Sequence, residues 1–590
     1  MMQQNSGWFQ LESQKQAGKS NINQMPSGNV PDLIIEQKKQ EMRMNGVNRS
    51  TEQEQNLNSY NVPGARPQQS DPPIQNSSKF HPMAQSDAFT ERFTPANQGG
   101  MMSNQWGGVL ASAGMSWDNQ NYPMLAPSVP TDEPPRKQKN SQESTFLWDH
   151  DRILQTKHSQ TVGERGPVLE QDSTLHEALE IFISSKILER PVHVKGFGAF
   201  GSFQTTNSMR QYTKLSFLQT PGQLTPTMVR FSLAGGNMGT PDTARGVKGF
   251  ATKFYTPEGV FDLVFNHIPV LFVRDGVRFP QAFTSFFPSP VNNLIDPQRF
   301  WRFVASAPES MHFVTWLYSD AGTIKSFRHI PGHSVNTYVW RNAEGMRCYV
   351  KYHWAPAAGE ETITQQEATT LAGINPDFAG QELYDTIAAG TPVQYELRVQ
   401  LMNPDDENRL PYDPLDCTKV WDERLYPLIP VGVLTLNRNP DNYMEQVEKA
   451  AFSPMNMLEG AELSDDKLLQ ARANIYWDSQ RRRLGENFRS IPVNHQENWT
   501  PDNLVTSGVR TNAEGQLVRS EISKSDNFTQ AGERYQSLPP EGKDHLVDNL
   551  SADLSHVSGE TQRVVLGYLY NASLELGQRV AEQISAHSAQ

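Results

Sequence analysis

Cysteine is nearly absent: Cys348 and Cys417 are the only two in 590 residues. No disulfide framework can hold such a chain, and a reducing compartment, the cytoplasm, is its expected setting. Clusters of Cys and His at structural-zinc spacing are also lacking, which leaves a zinc enzyme without support. No segment approaches the roughly 20 consecutive apolar residues that span a bilayer. The first residues, MMQQNSGWFQ, lack a charged stretch followed by an apolar one, so they do not read as a secretory signal, and no membrane partner is expected. Positive charge is scarce too: 52 Lys and Arg against 65 Asp and Glu give a formal net charge of −13. That balance argues against a nucleic-acid partner, because phosphate binding needs clustered cations.

Apolar material is plentiful enough for a large core, at 37% hydrophobic residues with 28 Phe, 17 Tyr and 11 Trp. It is unevenly spread. Residues 1–140 are dominated by Gln, Asn, Ser, Pro and Gly, in stretches such as NVPGARPQQSDPPIQNSS. Large apolar side chains there are too sparse to offset chain entropy, so this part reads as a disordered extension. Its plainest role is solubilising. The alternative is an arm that contacts an unknown partner through Trp8, Phe9, Trp106 and Trp117.

The texture changes near Gly166. In DSTLHEALEIFISSKI, Thr174 and Glu177 have capping-box spacing, and Leu175, Leu179 and Phe182 recur along one helical face. From Arg190 to about Val270, runs such as RPVHVKGFGAFGSFQ, TMVRFSLAGG, GVKGFATKFYTPEG and VFDLVFNHIPVLFV, separated by turn residues, read as short strands of an antiparallel barrel. Further strands are expected at SVNTYVWRN, MRCYVKYHW and VQYELRVQLMN. The Pro-rich stretch from Pro411 to about Asn442 reads as a long connection on the barrel surface, and Phe528 to Ser585 as several amphipathic helices. No internal repeat is present.

Gly196, Gly198 and Gly201 satisfy the letter of a G-x-G-x-x-G dinucleotide fingerprint, but that motif needs a following helix, and SFQTT is strand-prone. These glycines are better read as permitting close approach to a flat ligand, or a bend in the strand. His193 alone is an ordinary strand histidine. In ARANIYWDSQRRRLGENF, Arg472 stands one helical turn before Tyr476 on the same face. A guanidinium there would favour the phenolate by charge attraction, and a phenolate is a hard ligand suited to ferric iron. The bland reading is a solvated basic helix with Arg481, Arg482 and Arg483.

Taken together, these segments resemble the monofunctional haem catalases. RPVHVKGFGAFGSF resembles the family's distal-histidine segment and VRFSLAGG the one after it. DTARGVKGFATKFYTPEGVFDLVFNHIPVLFVRDGVRFP resembles the distal-asparagine region, and Tyr476 with RRRLGENF the proximal signature. DPLDCTKVWDERLYPLIPVGVLTLNRNPDNYMEQVEKAAFSPMNM resembles the wrapping segment, so the likeness runs from about Leu169 to the C-terminus.

The resemblance implies an α+β fold: an eight-stranded antiparallel barrel, a wrapping segment, haem-side helices and a C-terminal helical domain. On this reading residues 141–410 hold an arm and the barrel, 411–524 the wrapping segment and proximal helix, and 525–590 the helical domain. It also implies haem b as cofactor, hydrogen peroxide as substrate, a ferryl porphyrin radical intermediate, a homotetramer, and protection of the cell against peroxide.

By the same resemblance His193 is the distal acid–base residue, Asn266 a hydrogen-bond donor to peroxide, and Ser232 the group that orients His193. Tyr476 is the axial iron ligand, held as phenolate by Arg472. Arg190, Arg230 and Arg483 pair with haem propionates or support the proximal side, and Phe279 lies against the porphyrin. Gly246 stands where many relatives carry an acidic channel residue, and Leu271 where phenylalanine is usual. His312, Val420 and Trp421 have counterparts in relatives that bind NADPH. Ala321, His333, Ala355 and Glu423 replace arginine, tyrosine, lysine and histidine, so NADPH is not expected. Two other readings compete: a catalase-fold enzyme acting on organic hydroperoxides, and a non-catalytic structural or coat protein.

Overall fold

The computed structural model describes residues 147–148, 152–153, 158–496 and 515–588. The extension read over 1–140, with its four anchoring aromatics, lies outside them.

Eight strands close into an antiparallel barrel: β1 (Gly196–Thr205), β2 (Leu224–Leu233), β3 (Lys248–Thr256), β4 (Gly259–Asn266), β5 (Gly332–His333), β6 (Arg347–Pro356), β7 (Val393–Met402) and β8 (Ile429–Arg438). Pairing runs β1 to β2 to β3 to β4 to β5 to β6 to β7 to β8, and β8 returns to β1. Two short strands, Tyr338–Arg341 and Ala461–Leu463, extend the sheet outside β6. Closure leaves the barrel itself without an edge, so the ladder groups of the eight strands are paired around the ring.

Alternate side chains of these strands point inward and fill the barrel with aromatics, among them Phe203, Phe231, Phe250, Phe254, Trp354 and Tyr395. Phe250 stacks on Trp354 with centroids 5.8 Å apart. Each fully buried ring of this kind contributes about 2–3 kcal/mol of apolar transfer energy.

The expected strands are present, with three differences. The run VFDLVFNHIPVLFV is a strand only as far as Asn266; Pro269 cannot donate to a ladder, and Ile268, Val270, Leu271, Phe272 and Val273 are buried in a second core instead. SVNTYVWRN supplies an outer strand rather than a barrel strand. The stretch read as a surface connection contains β8, the strand that closes the barrel.

Helix α1 (Ser173–Ser184) forms where the periodicity places it, but its N-cap is Asp172, whose carboxylate accepts from Leu175 N at 3.3 Å. Helices α2 (Phe279–Phe286), α3 (Pro297–Ser306) and α4 (Met311–Tyr318) follow β4. The next pair, α5 (Gln365–Ile374) and α6 (Phe378–Ala388), lies between β6 and β7, and α7 (Lys467–Leu484) follows the barrel. Four helices close the chain: α8 (Thr529–Ser537), α9 (Pro540–Leu554), α10 (Gly559–Ala572) and α11 (Leu574–Ser588). They share the second core with α3, α4 and the segment after β4. Asp553 on α9 ties the layers together by accepting from Trp301 Nε1 at 2.9 Å and from the Tyr318 hydroxyl.

Candidate active site

His193 lies in the segment before β1 rather than in a strand, and its φ of 60° is left-handed, a conformation that costs a non-glycine residue about 1–3 kcal/mol. Backbone and side-chain bonds hold it there. His193 N donates to Ala234 O at 3.1 Å, and Arg230 donates from Nη1 to His193 O at 2.9 Å and from Nη2 to Val194 O at 2.8 Å. Gly196 leaves room for that guanidinium, because a Cβ there would fall 2.5 Å from Arg230 Cζ. Gly198 and Gly201 make way for Val447 and for the backbone of Thr435. These glycines do permit close approach, but to side chain and strand, and no helix follows them.

The His193 ring bonds through Nδ1 to Ser232 Oγ at 2.9 Å. Across the ladder Ser232 pairs with Gly249. A Cβ at 249 would meet Ser232 Oγ at 2.4 Å and His193 Nδ1 at 2.6 Å, so the bare backbone of Gly249 makes the space for this hydrogen bond. Burial, then the charges of Arg230, Arg472 and Arg190, hold the imidazole down to about 3. It is therefore neutral in the physiological range and able to accept a proton.

Tyr476 comes from α7. Asp466 caps that helix, its Oδ1 accepting from Leu468 N at 2.9 Å and Leu469 N at 3.0 Å. Asn336 Nδ2 donates to Asp466 Oδ2 at 2.7 Å, and Arg472 Nη1 donates to Asn336 Oδ1 at 2.6 Å. The other terminal nitrogen of Arg472 donates to Val264 O at 2.9 Å and to the Tyr476 hydroxyl oxygen at 3.1 Å. The expected i, i+4 pair is thus the end of a buried relay that ties tyrosine to barrel and helix cap.

Arg190, Arg230 and Arg483 converge on Glu448, which the sequence reading did not single out. Arg190 Nη1 lies 2.9 Å, Arg483 Nη1 3.5 Å and Arg230 Nη2 4.0 Å from its carboxylate. Burial, then Arg190, holds Arg230 and Arg483 down to about 9 each. Three guanidinium groups against one carboxylate leave two positive charges unbalanced, and Arg230 Nε and Arg483 Nε have no hydrogen-bond acceptor among the described residues. Such a cluster suits a ligand with two carboxylates.

Two adjoining cavities of about 220 and 260 Å³ share Val192, His193, Phe279, Phe283 and Tyr476. Asn266, the last residue of β4, and Arg472 line the first; Ser232, Arg190 and Arg230 line the second. Arg483 lines neither and reaches the site through Glu448. Phe279 and Phe283, with centroids 4.5 Å apart, supply an aromatic wall. Gly246 and Leu271 line the first cavity, and a Cβ at Gly246 would touch nothing nearer than 4.0 Å, so this departure leaves open space. The described residues contain no group of three or more His, Cys, Asp or Glu that could hold a metal ion. Tyr476 brings a phenol oxygen, a donor type suited to ferric iron, to both cavities, and an apolar slot with an adjacent arginine cluster fits a porphyrin carrying two propionates.

Glu448, Gly249, Asn336 and Asp466 are the site residues that sequence reasoning missed. Only Asp466 carries a local signal, as an acidic residue directly before a helical run.

The geometry agrees with what the chain is similar to. The family description "Catalase" matches residues 150–528, and "Catalase-related immune-responsive" matches 521–584. A catalase of Helianthus annuus is 38% identical over 470 residues, 73% of this chain and 94% of that protein. Catalase-1 of Arabidopsis thaliana is 39% identical over 476 residues, 74% of this chain and 94% of that protein. Among solved structures, a bacterial catalase superposes with a TM-score of 0.70 at 35% identity, covering 76% of this chain and 98% of its own. Catalase A from Saccharomyces cerevisiae gives 0.67 at 31%, covering 75% and 99%. With the family description matched over more than half its length and relatives at 38–39% identity over most of theirs, the chain belongs to the catalase family.

Proposed function

We propose that this catalase holds haem b in the paired cavities and converts two hydrogen peroxide molecules into dioxygen and two waters, protecting the cell against peroxide. The observation that carries the reading is one cavity lined both by a neutral, serine-bonded His193 and by an arginine-bonded Tyr476.

Tyr476 would ligate the iron through its phenol oxygen, with Arg472 donating to that oxygen and favouring the phenolate. Arg190 and Arg230 would hold the propionates, Arg483 would support that cluster through Glu448, and Phe279 would lie against the ring. When bound, haem supplies the two-electron redox chemistry.

The remaining work falls to the chain. With Nδ1 committed to Ser232, Nε2 of His193 is the nitrogen left to take a proton from one peroxide oxygen and return it to the other, so that water leaves without unstabilised charge separation. The Asn266 amide donates to peroxide and fixes it for that transfer. A second peroxide gives up two electrons and two protons and leaves as dioxygen.

A homotetramer in the cytoplasm completes the proposal. It is supported by the exposed apolar side chains of α1 and by the two free cysteines, one of them buried. Size measurement by light scattering and fractionation of cells test these two points.

The test of the chemistry is the absorption spectrum of the purified, haem-supplied protein and oxygen release on adding peroxide, for wild type and Tyr476→Phe. A ferric high-spin spectrum with rapid oxygen release, both impaired in the variant, is the expected result. Haem without oxygen release would favour an organic-hydroperoxide enzyme, and a folded protein without haem a structural one.

A further inference from the structure

Lys248 opens β3 with only 1% of its surface exposed, yet it lines the same cavity as His193 and Asn266. Its Nζ donates to Ala244 O at 2.6 Å, which satisfies one of the three protons of an ammonium. The acidic neighbour, Asp242, is committed elsewhere, to Lys195 Nζ at 2.9 Å and to Gly380 N at 2.9 Å. The His267 ring, on the segment after β4, is held neutral and accepts the Lys248 backbone N–H at 2.9 Å. The other charged groups acting on Lys248, Arg245 and Lys195, are cations.

A further positive charge is therefore poorly tolerated. Burial, with Asp242 opposing and Arg245 and Lys195 adding to it, holds the amine down to about 7. Near neutral pH a large fraction of molecules carries a free lone pair there, whereas exposed lysines remain charged up to about pH 10. The rest of the cavity wall beside it includes Leu271, Phe272 and Phe283, which favours small apolar molecules.

We propose that Lys248 is a covalent capture site for small aliphatic aldehydes, which form a reversible Schiff base with its amine inside the cavity. The nitrogen lone pair adds to the carbonyl carbon, the two amine protons pass to the carbonyl oxygen, and water leaves as the C=N bond forms. No oxidant or reductant is needed. The step requires only the amine and the cavity, so it stands apart from the proposed peroxide chemistry, and the adduct would narrow the space beside His193.

The experiment treats the full chain with acetaldehyde and cyanoborohydride across a neutral-to-alkaline pH series and maps N-ethyl increments on peptides by mass spectrometry. Lys248 should label several-fold faster at neutral pH than exposed Lys186, with a rate midpoint near 7, and Lys248→Arg should remove that increment alone. Absence of the increment on Lys248, or a midpoint shared with exposed lysines, overturns the proposal. The wild-type profile decides this even if the variant fails to fold.

Discussion

A missing methyl group sets the geometry of His193. Gly249→Ala would drive a Cβ between Ser232 Oγ and His193 Nδ1, at 2.4 and 2.6 Å. Since positioned acid–base groups are worth about 10²–10⁴-fold in rate, oxygen release by Gly249→Ala should drop by roughly 10–100-fold. Haem absorbance should be kept. An oxygen electrode beside the spectrum checks both, and loss of haem would show that the glycine serves binding rather than positioning. At this scale much of the site was legible. His193, Ser232, Asn266, Arg472 and Tyr476 lie in motifs with a recognisable order. Gly249 and Glu448 were not, because their roles depend on which atoms face them across the ladder and from a segment about 200 residues away.

At the scale of elements, α7 depends on its first residue. Asp466 caps the helix and also anchors Asn336, which in turn receives Arg472. Asp466→Ala should cost about 1 kcal/mol from the cap, plus about 1–3 kcal/mol for the buried amide left without its partner. Thermal unfolding should register that loss, and the haem absorption band should shift as Arg472 loses its support. The strand β8 teaches a different lesson. IPVGVLTLNR sits among prolines and reads as a connection, yet Pro430 falls at a register shift opposite Arg398, where its missing N–H is tolerated. The neighbours that close the ring, not the local composition, turn this segment into a strand.

For the whole molecule, burial of neutral histidines sets the acid limit of stability. His193, His267 and His312 are each held down to about 3 and His333 to about 4, with burial the largest cause throughout. Below the ordinary histidine value near 6.5 the unfolded chain binds more protons than the folded one, so stability falls with pH by up to ~1.4 kcal/mol per unit for each. Asp466, pushed up to about 6 by burial, acts in the opposite sense but is outnumbered. Denaturant midpoints should be lower at pH 5 than at pH 7, and a flat or reversed profile would refute this account. The exterior makes a second prediction. On α1 and just after it, Leu179, Phe182, Ile183 and Leu188 are 50–69% exposed, an apolar face that the described residues leave uncovered. Replacing Phe182 and Ile183 by Ser should lower the fraction of assembled protein in light scattering while leaving the monomer folded by circular dichroism.

By itself the sequence determined the local alternation that makes strands, the helical face that carries Arg472 one turn before Tyr476, and the family motifs, since each is written in residues close together along the chain. Only the tertiary structure decided that the ring closes through β8 and that His193 takes a left-handed backbone under the grip of Arg230. The same holds for the three arginines that share Glu448 with charge to spare and for the lysine sealed into the cavity wall. Those features arise from contacts between distant segments and from desolvation, and neither is encoded at any single position.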